Sequence, residues 1–282
     1  MNFLNLPAKK IPYAQAKAVI LPIPCGGATR ANLAVNKGPE AILQASQVLS
    51  TYDVETDTDL GELGLLTADP LTCPDGAQVA VEEVFNQAQQ HFKKNKFVAA
   101  IGGSHLISLG LARAAAEQHD NLSVLHLGAH PHMIVAETLD ESGVMAKIKE
   151  KFPVSHIGIR SMTRPERKKI HLDNLVFARD IHRDGVNAAV DVIEYLSPRV
   201  YVAIHLDVFD PACMPAVARP EPGGLDWYTL NALIRTVARE KTIVGFDVTG
   251  LVRQPQSVGF HTHLLAAKLV GKALIYSLHN SL

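Results

Sequence analysis

Residues 200–225 read VYVAIHLDVFDPACMPAVARPEPGGL. The stretch opens as a short apolar run rich in β-branched residues, Val200–Leu206, turns polar at His205 and Asp207, and continues into a loop of prolines and glycines. An apolar run of this length bounded by turn residues is the pattern of a buried strand. Outward from it the pattern recurs at Ala18–Pro22, Phe97–Ile101, Ser123–Leu127, His156–Ile159 and Thr242–Phe246. Between these runs, apolar residues at three-and-four spacing predict helices over 77–94, 107–118, 187–196, 228–239 and 263–278. Strands without a polar face need cover on both sides. The expectation is therefore an α/β fold in three layers, α/β/α, around a central, mainly parallel sheet. The chain has 282 residues and no repeat or linker, so 1–282 reads as one domain.

Composition excludes several functions. The net charge is −1, which leaves no electrostatic footprint for nucleic acid, and the basic run Arg164, Arg167, Lys168, Lys169 reads as a solvated face. Near the start, Lys9 and Lys10 precede an apolar stretch at 18–24 that is short and broken by proline. That is neither a signal peptide nor a membrane span, so a cytoplasmic protein is expected. Cys25, Cys73 and Cys213 are far apart and lack CxxC spacing. They are expected to be partly buried thiols, without a disulfide framework or a zinc ribbon.

In open α/β sheets ligands bind at the carboxyl ends of the strands. Four predicted strand ends are polar: Gly102-Gly103-Ser104-His105, Gly128-Ala129-His130-Pro131-His132, His205-Leu206-Asp207, and Asp247-Val248-Thr249-Gly250. The pairs His130/His132 and His205/Asp207 are each spaced by two, so in extended backbone both members point to one side. Each pair could close on one ion.

Taken in order, IGGSHLISLG, VLHLGAHPHM, HIGIRSM, VYVAIHLDVFDPACMPAVARPEPGGL and VGFDVTGL resemble the signature segments of the arginase and agmatinase family, the ureohydrolases. The N-terminal LPIPCGGATR…KGPEAIL is similar to that family as well. The resemblance implies an arginase-like fold, assembly as a trimer or hexamer, and hydrolysis of guanidino groups at two Mn²⁺ ions. By position, His105, His130 and Asp207 keep family ligands. Gly128, His132 and His205 stand where the family has aspartates, Ser104 where it has the aspartate of GGDH, and Gly250 where a glutamate grips the guanidinium. A family active-site histidine falls near Glu141 or Ser142.

These exchanges change the metal chemistry. Two divalent ions about 3.5 Å apart repel by about 19 kcal/mol at an effective dielectric of about 20, and carboxylates must offset that. Neutral imidazoles do not. A mononuclear site is the better match: the resemblance maps the positions of one family metal to His105, His132 and His205, with Gly128 opening the fourth place. Such a set suits a catalytic zinc. With Asp207 as a further ligand it also suits Fe, Ni or Mn. Asp207 and His130 are then the catalytic candidates, Asp207 as ligand or base and His130 as proton carrier or as the partner that orients an imidazole.

The expected function is a metal-dependent hydrolase cleaving a C–N bond of a small amine or amidine. Ordinary dinuclear arginase or agmatinase activity does not fit Gly250. The competing readings are a catalytically inactive family member that serves as a structural or regulatory subunit or as a small-amine binder, and a redox centre of three histidines and Asp207. Arg160, Asp210 and Asp247 read as structural supports, and His261 and His263 as residues at a helix start. Cys213 has no nameable base beside it.

Overall fold

The apolar runs are buried along almost their whole length, which is why they lie side by side in one sheet. The computed structural model describes residues 1–6, 11–26 and 34–279; Lys9, Lys10 and the GATR portion of the N-terminal motif lie outside the described residues. The strands are β1 (Ala18–Ile23), β2 (Tyr52–Asp53), β3 (Thr58–Asp59), β4 (Leu65–Thr67), β5 (Phe97–Gly102), β6 (Leu122–Leu127), β7 (Val154–Ile159), β8 (Leu175–Phe177), β9 (Arg199–His205) and β10 (Thr242–Thr249). Eight of them form a sheet in the order β4-β1-β5-β10-β9-β6-β7-β8, and each neighbouring pair is parallel. β2 and β3 form a separate antiparallel pair.

Alternate residues of each strand enter opposite cores. Ala99, Ile101, Leu125, Val202 and Phe246 pack under helices Gly38–Ser46, Trp227–Glu240 and Gln256–His279. Val98, Ala100, Val124, Tyr201 and Val244 pack under Ala77–Phe92, Ile107–Ala116 and Val144–Lys149. This is the three-layer α/β/α arrangement. Among the described residues, no helix is long and apolar enough to cross a membrane.

The element boundaries differ from expectation where local chemistry intervenes. The segment 187–196 splits into a 3₁₀ turn, Gly185–Ala189, and a helix, Val190–Tyr195. The last helix starts at Gln256, seven residues ahead of His263. Edge strands β4 and β8 have three residues each, too few for a periodic signal.

The cysteine expectation is overturned. Cys25 and Cys73 are joined in a disulfide, with Cα atoms 5.2 Å apart. The parallel pairing of β1 with β4 continues beyond the strand in the bonds from Ala68 N to Ile20 O and from Leu71 N to Pro22 O. That pairing carries the two distant cysteines together. Cys213 is free; its thiol donates to Asp210 O, and burial pushes its pKa up.

Candidate metal centre

The middle strands β5, β10, β9 and β6 end at one rim, and their ends bring three imidazoles together. His105 follows β5, His132 follows β6, and His205 is the last residue of β9. All three are buried, and one nitrogen from each lies within 4.8 Å of the others. The rings of His105 and His205 stack at 3.7 Å between centres, and His132 lies 5.0 Å from each.

Each ring is anchored through Nδ1. His105 Nδ1 is 2.7 Å from Thr249 Oγ1, and His132 Nδ1 is 2.8 Å from the carbonyl of Glu141. His205 Nδ1 is 3.0 Å from His126 Nε2. A carbonyl can only accept, so His132 donates from Nδ1, and in its neutral form Nε2 carries the lone pair. Burial keeps the rings neutral, pushing His105 and His132 down to about 4 and His205 well below its ordinary value. Nε2 of His132 and of His205 is buried with no hydrogen-bond partner. Buried polar atoms are rarely left so. Convergent, neutral, unpartnered imidazole nitrogens fit a divalent cation.

Asp207 and His130 stand beside this triad. One Asp207 oxygen accepts from Ala129 N at 3.1 Å, and the other accepts from His130 Nδ1 at 2.8 Å. Burial raises the Asp207 pKa, but the His130 bond and the neighbouring imidazoles outweigh it and hold the carboxyl well below the usual carboxylate range. A carboxylate held so is a poor proton acceptor and a good orienting one. The other His130 nitrogen, Nε2, faces Glu221 Oε2 at 3.7 Å, and its ring centre is 6.2 Å from that of His132.

The expected opening at Gly128 is not there. A Cβ at Gly128 would stand 2.5 Å from His126 Nε2 and 2.8 Å from its Cε1, so the ring of His126 fills the space over the glycine. At Gly250, whose φ is +92°, a Cβ would stand 2.7 Å from His105 Cε1. With the His105 ring placed as it is, a side chain at 250 would require that ring to shift. Glu141, in the region of the missing family histidine, accepts from His105 N through Oε1 at 3.3 Å. His132 itself adopts left-handed backbone, φ 51°.

His126 and His156 belong to this region and were not singled out in the sequence. They lie opposite each other in the register of β6 and β7, with Nδ1 atoms 3.0 Å apart. The signal was parity, since His126 is two residues before Gly128 and so shares its face.

The supports behave as expected. The Arg160 guanidinium donates to the carbonyls of Asp207, Val208, Phe209 and Glu221, and Asp210 accepts from the backbone of Ala212, Gly223 and Gly224. Together they clamp the loop after β9. Asp247 accepts from Ser108 Oγ at 3.0 Å and Tyr201 Oη at 2.9 Å, and burial raises its pKa to about 7. His261 and His263 depart from expectation, standing inside the last helix and not at its start: His261 is exposed, and His263 Nε2 accepts from Gln254 N at 3.2 Å.

The sequence model described as "Arginase family" matches residues 16–276. An N(1)-aminopropylagmatine ureohydrolase of Thermus thermophilus is 32% identical over 273 residues, covering 94% of this chain and 92% of that protein. One from Synechocystis sp. is 33% identical over 276 residues, covering 92% and 90%. The crystal structure of the agmatine ureohydrolase of Thermoplasma volcanium superposes with a TM-score of 0.86 at 23% identity, covering 100% of this chain and 97% of that one.

Proposed function

The chain belongs to the arginase family, and within it we propose a metal-dependent hydrolase that cleaves a C–N bond of a small amidine or amine at a mononuclear, histidine-rich site. The observation that carries this reading is the pair of unpartnered, buried Nε2 atoms of His132 and His205, facing the same cluster as His105. His105, His132 and His205 would hold one divalent ion, Zn, Fe, Ni or Mn. Zinc held there would lower the pKa of bound water to about 7, and any of the four would act as a Lewis acid on the scissile group.

The remaining steps fall to the chain's own residues. Asp207 takes the Nδ1 hydrogen of His130 and fixes that tautomer, which leaves Nε2 as the proton-accepting atom. A proton taken there is met by the Glu221 carboxylate. His130 is thus the proton carrier and Asp207 its positioning residue. Relatives named ureohydrolases support amidine chemistry. The substrate's cationic end is not gripped through position 250, because glycine there offers no carboxylate. A cytoplasmic homo-oligomer, trimer or hexamer, completes the reading.

Metal analysis of purified protein tests the proposal. About one equivalent of metal is expected in the wild type and none in His132→Ala/His205→Ala. A wild type that stays empty after anaerobic reconstitution with each of the four metals would sink it and favour an inactive family member. His130→Gln is expected to keep the metal and to lower kcat by about a hundredfold or more in amidine-hydrolysis assays.

A further inference from the structure

The metal reading leaves two buried histidines without a task. His205, His126 and His156 form a file of imidazoles, linked from His205 Nδ1 to His126 Nε2 at 3.0 Å and from His126 Nδ1 to His156 Nδ1 at 3.0 Å. Each link needs one N–H and one lone pair. The three rings are completely buried or nearly so, and a neutral imidazole carries one ring hydrogen.

One hydrogen per ring and two links leave two arrangements. In the first, His205 Nδ1–H donates to His126 Nε2, His126 Nδ1–H donates to His156 Nδ1, and His205 Nε2 keeps its lone pair. In the second, both bonds reverse, and Nε2 of His205 carries a hydrogen aimed at the cluster. That hydrogen would be buried without an acceptor, since His205 Nε2 has no partner.

We propose that His126 and His156 are positioning residues that hold His205 in the first arrangement and so present its Nε2 lone pair to the divalent ion. The inference rests on the metal reading for its purpose, but the direction of the file is a property of the protein alone. Gly128 is part of the same device. Because any Cβ at 128 would collide with the His126 ring, glycine there is what allows His126 to reach His205. The exchange at 128 therefore gives up a carboxylate and admits an imidazole partner for a ligand.

Solid-state nitrogen-15 NMR of histidine-labelled, metal-free wild type at neutral pH reads the direction, with the rings assigned through couplings across the two N···N bonds. The expected result is Nδ1–H on His205 and His126 and Nε2–H on His156. Nε2–H on His205 would overturn the proposal. Zinc titration supplies the second readout: His126→Leu is expected to weaken zinc binding by about tenfold to a hundredfold, and His126→Gln, whose amide oxygen accepts in place of Nε2, to recover to within about threefold. Gly128→Asp is expected to weaken zinc binding by displacing His126; tighter binding in that variant, or unchanged binding in a folded His126→Leu, would also overturn it. If the wild type takes up no zinc while its tautomers are as stated, the metal reading fails and the direction of the file stands.

Discussion

Two buried polar clusters lie four residues apart on β9 and two apart on β10, and they are finished differently. At Tyr201 and Asp247, the carboxyl accepts from both hydroxyls it faces, Ser108 and Tyr201. At His205 and Thr249 the sheet ends; Thr249 anchors the ring of His105, and the ring of His205 is anchored on Nδ1 and unpartnered on Nε2. The first cluster is complete as a folded chain. The second is complete only with something added. Burial alone does not distinguish a site from a support; unfinished hydrogen bonding does.

The comparison breaks most visibly if the second cluster gains nothing from an ion. At zinc a thousandfold above its Kd, the wild type is expected to gain about 4 kcal/mol in unfolding free energy, and His132→Ala/His205→Ala none, as read from urea titrations with and without zinc. Equal curves would make the unpartnered nitrogens a defect of packing.

A smaller effect sharpens the other side. The Asp247 pKa, about 7 in the folded protein, lies above its unfolded value near 4, so the folded state holds the extra proton between them. Stability from this group is present at acid pH and lost as pH rises towards 7. Relative to Asp247→Asn, the wild type is expected to lose about 2 kcal/mol between pH 5 and pH 7. A parallel pair of stability profiles would contradict this. Smallest of all, Tyr201→Phe removes one donor from that carboxyl and is expected to cost about 1 kcal/mol at neutral pH, with metal content unchanged.

The sheet was legible in the sequence because its inner strands are long enough to show their apolar runs, and the triad was legible through the family resemblance, which maps one metal to His105, His132 and His205; the spacing of His130/His132 and His205/Asp207 misled, because His132 has left-handed backbone, Leu206–Val208 is a 3₁₀ turn, and His130 pairs with Asp207 instead. His126 was not legible, because a histidine inside an apolar run looks like any other buried residue until its parity with Gly128 is noticed. Gly128 was misread for the same reason. A lost side chain looks like a vacancy in one dimension, and only the neighbouring ring shows the space to be taken. The disulfide was hidden by its separation of 48 residues, which only the pairing of β1 with β4 brings to bonding distance.

The left-handed backbone at His132 bears on how such a site is reached in evolution. Among residues with a side chain, asparagine, aspartate and histidine are the ones enriched in that conformation. An aspartate codon becomes a histidine codon by changing its first base and a glycine codon by changing its second. From the family pattern, positions 128, 132 and 205 are each a single base away from what stands here, and at 132 the chain need not be rebuilt to accept the change. On the proposed reading, a carboxylate-rich dinuclear centre and an imidazole-rich mononuclear one are near neighbours in genetic space, their exchanges at 128, 132 and 205 each needing one base and no new fold.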